Sequence, residues 1–339
     1  MQRSEITIDL GAIRHNARRL LDVLGGSELW AVVKANGYGH GATDVARAAL
    51  SAGASALCVA DVAEGLELRQ ADPDARIIVM GPAAEPREVS EARGARLELV
   101  VSVGEIPDGV PVHLKLDSGM GRWGLAELPE PPANVVGLMS HFATSDSDAA
   151  FAGLQLERFR EATAPYSHLT RHMANSAAAL RLPGARFDAA RCGIALYGIS
   201  PFETDPADDG LRPALSWRSQ LGQVRLLRPG ESTGYGRRFV AERPTWIGIV
   251  PVGYADGFRR DMTGTEVLVA DEPRRAVGTV SMDALAVELD RELPVGTPVT
   301  LVGDGLLIER HAQAADTIGY EIACGINSDP ARARRVVVD

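Results

Sequence analysis

The amino-acid sequence predicts an α/β fold: an N-terminal (β/α)₈ barrel followed by a C-terminal, mostly antiparallel β domain. Two observations predict the barrel. Eight short runs of residues are apolar on both faces, and segments compatible with helices separate most of them. This pattern is typical of a parallel sheet covered on both sides. A third observation predicts the second domain, because after Pro213 the chain is rich in alternating, strand-like runs punctuated by Gly and Pro.

The first predicted helix covers residues 10–24, with Asp9 as its N-cap and Gly25-Gly26 at its end. The eight predicted barrel strands follow at residues 29–33, 56–60, 76–80, 97–102, 110–116, 135–140, 167–173 and 187–192. Helices are predicted between them at residues 42–52, 62–70, 86–93, 151–164 and 176–182. Eight strand units within about 200 residues suit a closed, TIM-like barrel, which begins at roughly that length.

The second domain contains six predicted strands, at residues 220–227, 246–252, 266–270, 276–280, 284–289 and 298–303. Clear helical periodicity is scarce in this part of the chain. We therefore expect residues 1–211 to form the barrel and residues 212–339 to form the β domain.

Composition excludes several classes of protein. Lys and Arg total 35 and Asp and Glu total 45, a formal net charge of -10, and no local basic patch is present, so nucleic acid is not an expected partner. No apolar run reaches the ~18 residues of a membrane span, and Glu5 interrupts any signal peptide. Cys58, Cys192 and Cys324 lack metal-ligand spacing and are expected to be small buried residues in a reducing compartment. The sequence predicts a cytoplasmic protein without a metal site.

Polar residues at the ends of the predicted barrel strands form the candidate site, because active sites of such barrels lie there. Lys34 ends the first strand and Lys115 lies at the end of the fifth, although lysine is costly to bury. A desolvated lysine is the nucleophile for Schiff-base chemistry with a carbonyl cofactor. Ser176 and the amides of Gly193 and Ile194 would cradle a phosphate. A lysine and a phosphate cradle at one barrel mouth describe pyridoxal phosphate (PLP).

Taken one at a time, these residues have simpler interpretations. Lys34 could be a surface lysine, and Arg191 could form a structural ion pair with Asp188. His141 could be a core residue with satisfied hydrogen bonds, and Tyr235 could be a packed turn residue. The combination of groups around one barrel mouth favours a site.

Residues 31–41, Ala-Val-Val-Lys-Ala-Asn-Gly-Tyr-Gly-His-Gly, closely resemble the PLP-attachment signature of the alanine racemase family. Further motifs of that family occur in the same order at residues 115–124, 140–146, 174–177, 191–198, 234–236, 252–257, 281–283 and 317–322. The resemblance implies PLP as cofactor, alanine as substrate and a head-to-tail homodimer with shared active sites. It also implies that the product D-alanine supplies peptidoglycan synthesis.

The resemblance implies roles for the main site residues. Lys34 would bind PLP as a Schiff base and act as the base toward D-alanine, while Tyr235 of the partner subunit would act toward L-alanine. Racemisation needs two such groups, because one removes a proton and the other returns one. Arg191, supported by His141, would face the pyridine nitrogen. Because arginine stays protonated, the ring would remain a weak electron sink and quick reprotonation would be favoured.

Other positions match by the same resemblance. Lys115 would be carbamylated and would orient Arg122, which would place the substrate. The remaining cofactor-binding positions are Tyr38, Asn175, Ser176, Gly193, Ile194 and Tyr320. The remaining substrate-binding positions are Met282 and Asp283, which would come from the partner subunit, and Tyr254, which would limit the size of the substrate side chain. The chain departs from the family pattern at Cys192, where many relatives have proline, at Ser281, where many have cysteine, and at residues 324–332.

Three alternative functions stay open at this point: a broad-specificity racemase acting on serine or other small amino acids, a PLP-dependent decarboxylase, and a PLP carrier protein. Arg191 disfavours the decarboxylase, because decarboxylation benefits from an acidic partner that keeps the pyridine protonated. Tyr235 and the second domain disfavour the carrier, which needs no second proton-transfer group. The favoured expectation is PLP-dependent racemisation of alanine.

Overall fold

A computed structural model of the chain describes residues 3–83 and 85–339. Met1, Gln2 and Ala84, which all belong to the predicted barrel segment 1–211, lie outside the described residues. The chain divides into two compact units. The barrel unit contains Ala12–Phe202 and Pro206–Arg212. The β unit contains the segment that ends at Gly11, together with Glu203–Asp205 and Pro213–Asp339.

The N-terminal strand β1 (Ser4–Asp9) belongs to the β unit. It pairs antiparallel with residues 215–218 and parallel with residues 333–338. The structure therefore differs from our expected division, in which all of residues 1–211 lie in the barrel. The physical reason is that the backbone hydrogen bonds of this strand are made to two distant segments.

Eight parallel strands form a closed barrel in their order along the chain. They are β2 (Glu28–Val32), β3 (Ala56–Val59), β4 (Ile77–Val79), β5 (Glu98–Val101), β6 (Val112–Lys115), β7 (Val135–Met139), β8 (Thr170–His172) and β9 (Ala189–Cys192). Strand β2 pairs with both β3 and β9, which closes the ring. The predicted barrel is confirmed, and each of its strands overlaps one of the eight predicted runs.

Helices lie between several of the barrel strands. The helical segments are α1 (Leu10–Leu24), α2 (Lys34–Tyr38), α3 (Ala42–Ser51), α4 (Val62–Ala71), α5 (Pro86–Gly94), α6 (Ala149–Thr163) and α7 (Ser176–Arg181). Asp61, Asp148 and Asn175 cap the N-termini of α4, α6 and α7 by accepting hydrogen bonds from backbone amides. Such caps satisfy amide groups that have no partner inside the helix, so they fix the points at which the helices begin.

The β unit is built on a nine-stranded sheet with the order β11-β14-β17-β16-β15-β18-β10-β1-β19. Its further strands are β10 (Leu215–Gln220), β11 (Gln223–Leu227), β14 (Thr245–Val250), β15 (Glu266–Val269), β16 (Glu272–Val277), β17 (Leu285–Leu289), β18 (Pro298–Val302) and β19 (Ala333–Val338), while β12 (Ser232–Thr233) and β13 (Phe239–Val240) pair separately. Apart from β1 with β19, the strand pairs of this sheet are antiparallel. The antiparallel β domain is confirmed.

Two details of the β unit differ from expectation. The structure has a turn inside the region predicted as one strand at residues 220–227, so β10 and β11 are separate. Two short helices, α8 (Ile308–Ala314) and α9 (Gly319–Gly325), occur where we expected little helix. Each has only 7 residues, too few for a clear helical period to show in the sequence.

No disulfide joins the three cysteines, all of which the structure describes. Cys58 and Cys192 are buried as predicted, but Cys324 is exposed, so the expectation is wrong for Cys324. Among the described residues, no helix combines the length and the apolar character needed to cross a membrane. Within residues 3–83 and 85–339, no group of three or more His, Cys, Asp or Glu side chains is arranged to hold a metal ion.

Candidate active site

Lys34 lies two residues after the end of β2 and begins the segment α2, a turn of left-handed backbone. The angle φ is 51° at Ala35, 50° at Asn36 and 61° at Gly37. Residues with a Cβ atom pay roughly 1–2 kcal/mol each for this conformation. The turn must therefore be held by its surroundings.

Two side chains hold the backbone on either side of this turn. Glu64, on α4, accepts hydrogen bonds from the amides of Ala35 and Ala60, each at 2.7 Å. The Asn36 side chain accepts from the amide of Ala42 at 3.0 Å. Because these bonds join the turn to the start of α4 and of α3, the half-buried Lys34 projects from a fixed point at the end of its strand.

Arg191, on β9, is a buried cation with only 2% of its surface exposed. Its Nη1 donates to His172 Nδ1 at 2.7 Å, and its Nη2 donates to the Ser140 carbonyl at 2.8 Å and to His141 Nδ1 at 3.2 Å. Its Nε is buried and has no hydrogen-bond partner among the described residues. Burial lowers the pKa of Arg191 to about 10, so the guanidinium is still charged at neutral pH.

The alternative interpretation of Arg191 as an ion-pair partner of Asp188 is wrong. A carboxylate oxygen of Asp188 accepts from the Arg171 amide at 2.7 Å and lies 3.7 Å from the Arg171 guanidinium. Arg191 instead contacts histidines and carbonyl oxygens. Burial and the positive charge of Arg191 hold the pKa of His141 well below its usual range, so His141 is neutral and can accept the hydrogen bond.

Three of the residues predicted to surround a phosphate, Asn175, Ser176 and Gly193, lie together after strands β8 and β9. Asn175 caps α7, and Ser176 Oγ accepts from the Gly193 amide at 3.1 Å and from the Ala195 amide at 3.3 Å. A methyl group at Gly193 would overlap the hydroxyl of Tyr38. Glycine is therefore required where the turn after Lys34 meets the turn that begins at Ile194.

Lys115 ends β6 and is 4% exposed. Burial, followed by the positive charges of Arg191 and Arg122, lowers the pKa of Lys115 to about 8. Asp117 folds the next loop, because its carboxylate accepts from the amides of Gly119 at 2.9 Å and of Met120 at 2.8 Å. Arg122 lies exposed in that loop. Lys34 and Lys115 are the only lysines in the chain, and both lie at strand ends of the barrel.

Four of the other predicted site residues lie in adjoining loops of the β unit. The Tyr235 carbonyl accepts from Thr279 Oγ1 at 2.9 Å, and the Tyr254 amide donates to the Ser281 carbonyl at 3.1 Å. The side chains of Tyr235, Tyr254 and Met282 are 72%, 41% and 52% exposed. Large apolar side chains in one exposed region are typical of an interaction surface.

Asp283, the fourth of these residues, belongs to an ion-pair cluster. Its carboxylate lies 3.2 Å from Arg3 and 3.1 Å from Arg332, and both arginines also bind the buried carboxylate of Asp256. Arg332 lies in the C-terminal segment where the chain departs from the family pattern, so this segment still contributes a contact to a predicted site residue. Tyr320 lies half-buried on α9.

Sequence reasoning missed several polar residues of the barrel unit. Glu64 gave no signal, because a glutamate in the first turn of a helix is common. Glu98 and His113 lie in largely apolar barrel strands, and His172 ends the short, polar strand β8. A charged or titratable residue in such a strand was the available signal, since it must find a partner inside the barrel.

Comparison with known proteins covers both units. Residues 8–201 match the family described as "Alanine racemase, N-terminal domain", and residues 214–336 match "Alanine racemase, C-terminal domain". The chain is 41% identical to alanine racemase 1 of Bacillus subtilis over 95% of this chain and 90% of the relative. It is 39% identical to the alanine racemase of Lactiplantibacillus plantarum over 100% of this chain and 98% of the relative. Among solved structures, the biosynthetic alanine racemase of Pseudomonas aeruginosa is similar, with a TM-score of 0.91, 38% identity and coverage of 100% of both chains.

Proposed function

The chain belongs to the alanine racemase family of isomerases, and we propose that it interconverts L-alanine and D-alanine with PLP as cofactor and with Lys34 and Tyr235 as its two acid–base groups. The observation that carries this proposal is Arg191, a buried cation whose Nε lacks a hydrogen-bond partner among the described residues while its other nitrogens are bound.

The residues of the barrel mouth fit PLP. Lys34 would hold the aldehyde carbon, and Ser176, Gly193, Ile194 and Tyr38 would surround the phosphate. The unpartnered Nε of Arg191 suits the pyridine nitrogen, which accepts a hydrogen bond. Tyr320, His141 and Asn175 complete the proposed cofactor-binding set. When bound, PLP supplies an electron sink that acidifies the α-proton of the amino acid.

The chain's own groups move the proton. The Lys34 amine takes the α-proton on the face presented by D-alanine, and the Tyr235 hydroxyl returns a proton on the opposite face. In the reverse direction the two groups exchange roles, as microscopic reversibility requires. Arg122, Met282 and Asp283 hold the substrate, and Tyr254 restricts the size of its side chain.

Arg191 limits side reactions in this proposal. A guanidinium donates a hydrogen bond to the pyridine nitrogen without transferring its proton, because its pKa is about 10 even when buried. The ring then withdraws electrons only weakly, and the proton returns to the α-carbon quickly. This argues against the decarboxylase, for which a carboxylate beside the ring nitrogen would be suitable.

We also propose that Lys115 is carbamylated. Its neutral amine adds to CO₂, forming an N–C bond and releasing one proton, and the product carries a negative charge beside Arg122 and Arg191. At constant dissolved CO₂, incorporation of ¹³CO₂ should rise as the pH is raised through about 8, because only the deprotonated amine reacts. At pH 7 roughly a tenth of the free amine would be neutral. Carbon-13 NMR of the labelled protein measures this.

Lys115→Met is the control for carbamylation, because it keeps an unbranched side chain only one atom shorter and removes the amine. The carbamate signal should be absent in this variant, and kcat/KM for alanine should fall roughly tenfold as Arg122 loses an anionic partner. An equal carbamate signal in the variant, or a signal that does not change with pH, would contradict carbamylation of Lys115.

The setting of the reaction is part of the proposal. We propose a homodimer with shared active sites, supported by the exposure of Tyr235, Tyr254 and Met282 on the β unit. We place the protein in the cytoplasm, in keeping with three described cysteines that form no disulfide. There its product, D-alanine, supplies peptidoglycan synthesis.

Incubation of the PLP-loaded protein with L-alanine tests the central proposal. Chiral chromatography should show D-alanine accumulating to equal amounts of the two enantiomers, because they have equal free energies in solution. Protein stripped of PLP is the control and should form none. If the PLP-loaded protein forms no D-alanine but racemises serine, a broad-specificity racemase replaces the proposed function. If the PLP-loaded protein alters no amino acid, a PLP carrier protein replaces the proposed function.

A further inference from the structure

A chain of hydrogen bonds crosses the interior of the barrel from Arg191. His172 Nδ1 lies 2.7 Å from Arg191 Nη1, and His172 Nε2 lies 2.9 Å from His113 Nδ1. His113 Nε2 lies 2.7 Å from Glu98 Oε2. Both histidines are 0% exposed. Branched aliphatic side chains fill most barrels of this type, so four linked polar groups in this interior require an explanation.

Only one arrangement of protons satisfies these three contacts. A guanidinium can only donate, so His172 Nδ1 accepts and its Nε2 carries the hydrogen. His172 therefore donates to His113 Nδ1, and His113 donates from Nε2 to Glu98. Because an ionised carboxylate can only accept, each hydrogen bond of the chain points from Arg191 toward Glu98.

Glu98 is ionised at the end of this chain. Arg76 donates to it from Nε at 2.7 Å and from Nη2 at 3.0 Å. Burial opposes ionisation, but the hydrogen bonds from His113 and Arg76 outweigh it and lower the pKa of Glu98 to about 2. Burial lowers the pKa of His113 and of His172 below the usual range, which keeps both rings neutral. The charged groups that face these rings are Arg191, Arg76 and Glu98.

Arg191 has no carboxylate among its hydrogen-bond partners in the described part of the chain. A buried cation without a counter-charge is costly. We infer that Glu98 is the remote counter-charge of Arg191 and a positioning residue for the racemase reaction, acting through His113 and His172. The two neutral rings present their lone pairs toward Arg191 and their N–H groups toward Glu98, so the dipoles of the two rings align. These hydrogen bonds hold the guanidinium by Nη1 and leave Nε outside the series of hydrogen bonds.

Packing holds the two rings in this arrangement. The Trp30 ring lies 4.5 Å from the His172 ring and 5.7 Å from the His113 ring, measured between centroids. The Arg76 guanidinium lies 4.8 Å from the Trp30 ring centroid. The rings therefore cannot turn without displacing a fully buried tryptophan, which favours one fixed set of hydrogen bonds.

Glu28 supplies a matched control for Glu98. Its carboxylate lies 3.7 Å from the same Arg76 guanidinium and accepts from Trp30 Nε1 and Ser55 Oγ, each at 2.7 Å. It makes no hydrogen bond to His113 within the described structure. Glu28→Gln removes a carboxylate of equal size beside the same arginine and leaves the hydrogen bonds from Arg191 to Glu98 intact. Glu98→Gln removes the negative charge at the last group of this series of hydrogen bonds. Glu98→Asp keeps a negative charge there on a shorter side chain.

The first test is nitrogen-15 NMR of the full-length protein, as purified, with labelled histidine. His113 and His172 are assigned from the signals lost in His113→Gln and His172→Gln. Both should stay neutral with the hydrogen on Nε2 from about pH 5 to 9, where histidine ordinarily titrates. In Glu98→Gln the amide must place an N–H against Arg76 or His113, so the His172 signals should shift, whereas Glu28→Gln should leave them unchanged. A hydrogen on Nδ1 in the wild type, or equal responses in the two variants, would overturn the inference.

The second test is kinetic and rests on the proposed function. With the PLP-loaded enzyme, Glu98→Gln should lower kcat for alanine about tenfold and change KM less than about twofold, while Glu98→Asp recovers part of kcat. Pyruvate formed per turnover should rise, each pyruvate leaving its amino group on the cofactor, because an unanchored Arg191 no longer prevents ring protonation. Unchanged kcat and pyruvate yield in Glu98→Gln would overturn the role in the reaction. If the wild type racemises nothing, the proposed function fails, and the NMR test still decides the charge assignment.

Discussion

Lys34→Ala should reduce the interconversion of L-alanine and D-alanine by at least about 10⁴-fold, the largest effect that we expect from a single substitution. Lys34 is proposed both to attach the cofactor and to transfer a proton on one face, so its loss removes two functions. The turn that follows it is held by Glu64 and Asn36 through backbone amides, so the fold should survive. Chiral chromatography measures the rate, and circular dichroism checks the fold.

Because the sequence contains only two lysines, mass spectrometry can identify which of them binds the cofactor. Reduction with borohydride followed by peptide mass spectrometry should place the added mass of the cofactor on the Lys34 peptide. Lys115, the only other lysine, is an internal control and should stay unlabelled. Cofactor mass on Lys115, or undiminished racemisation by Lys34→Ala, would refute the assignment of Lys34.

Tyr235→Phe should have the second largest effect, lowering racemisation about 10²- to 10⁴-fold with little change in stability. The substitution removes one hydroxyl from a side chain that is 72% exposed, and surface changes of this kind usually alter stability by less than about 0.5 kcal/mol. Because Lys34 remains, D-alanine should still exchange its α-hydrogen in D₂O with retained configuration, whereas L-alanine should not. Proton NMR of both enantiomers measures the two exchange rates.

Tyr166→Phe is the matched control for this hydroxyl deletion. The Tyr166 hydroxyl bonds to Glu130 at 3.2 Å in the barrel unit, and racemisation and both exchange rates should be unchanged in this variant. If Tyr235→Phe slows exchange of the two enantiomers equally, Tyr235 is not specific to one face and the two-base assignment is wrong.

Mixing the two inactive variants tests whether Tyr235 acts across subunits. A mixed dimer of Lys34→Ala and Tyr235→Phe has one site with both native groups if each site takes Lys34 from one chain and Tyr235 from the other. Random exchange of subunits should then restore up to about a quarter of the wild-type rate per chain. No recovery, with exchange of subunits demonstrated, would mean that both groups act within one chain.

Local pattern was sufficient to predict the barrel, because both faces of most barrel strands are buried and the sequence shows this as a largely apolar run. Leu29, Trp30 and Ala31 in β2 are all fully buried, for example. The same logic placed Lys34, Lys115 and Arg191 at or near strand ends. Their shared location follows from barrel closure, which brings β2 beside β9.

Features that depend on distant partners could not be predicted in this way. Strand β1 alternates buried and half-buried residues, a pattern typical of a sheet strand, but nothing local identifies the sheet. Glu98, His113 and His172 lie in three different strands, so their association appears only when the barrel closes. The left-handed turn after Lys34 depends on Glu64, about 30 residues away.

The placement of β1 has a consequence for biosynthesis. Its two neighbours in the sheet are β10 and β19, and β19 ends at Val338. At about 5–20 residues per second, a ribosome needs roughly 17 to 68 s to translate these 339 residues. The barrel unit, which ends at Arg212, can close during that interval, while both edges of β1 are still unpaired. Translation speed and chaperone binding to the nascent β1 segment therefore affect the yield of the β unit, and with it the surface that carries Tyr235.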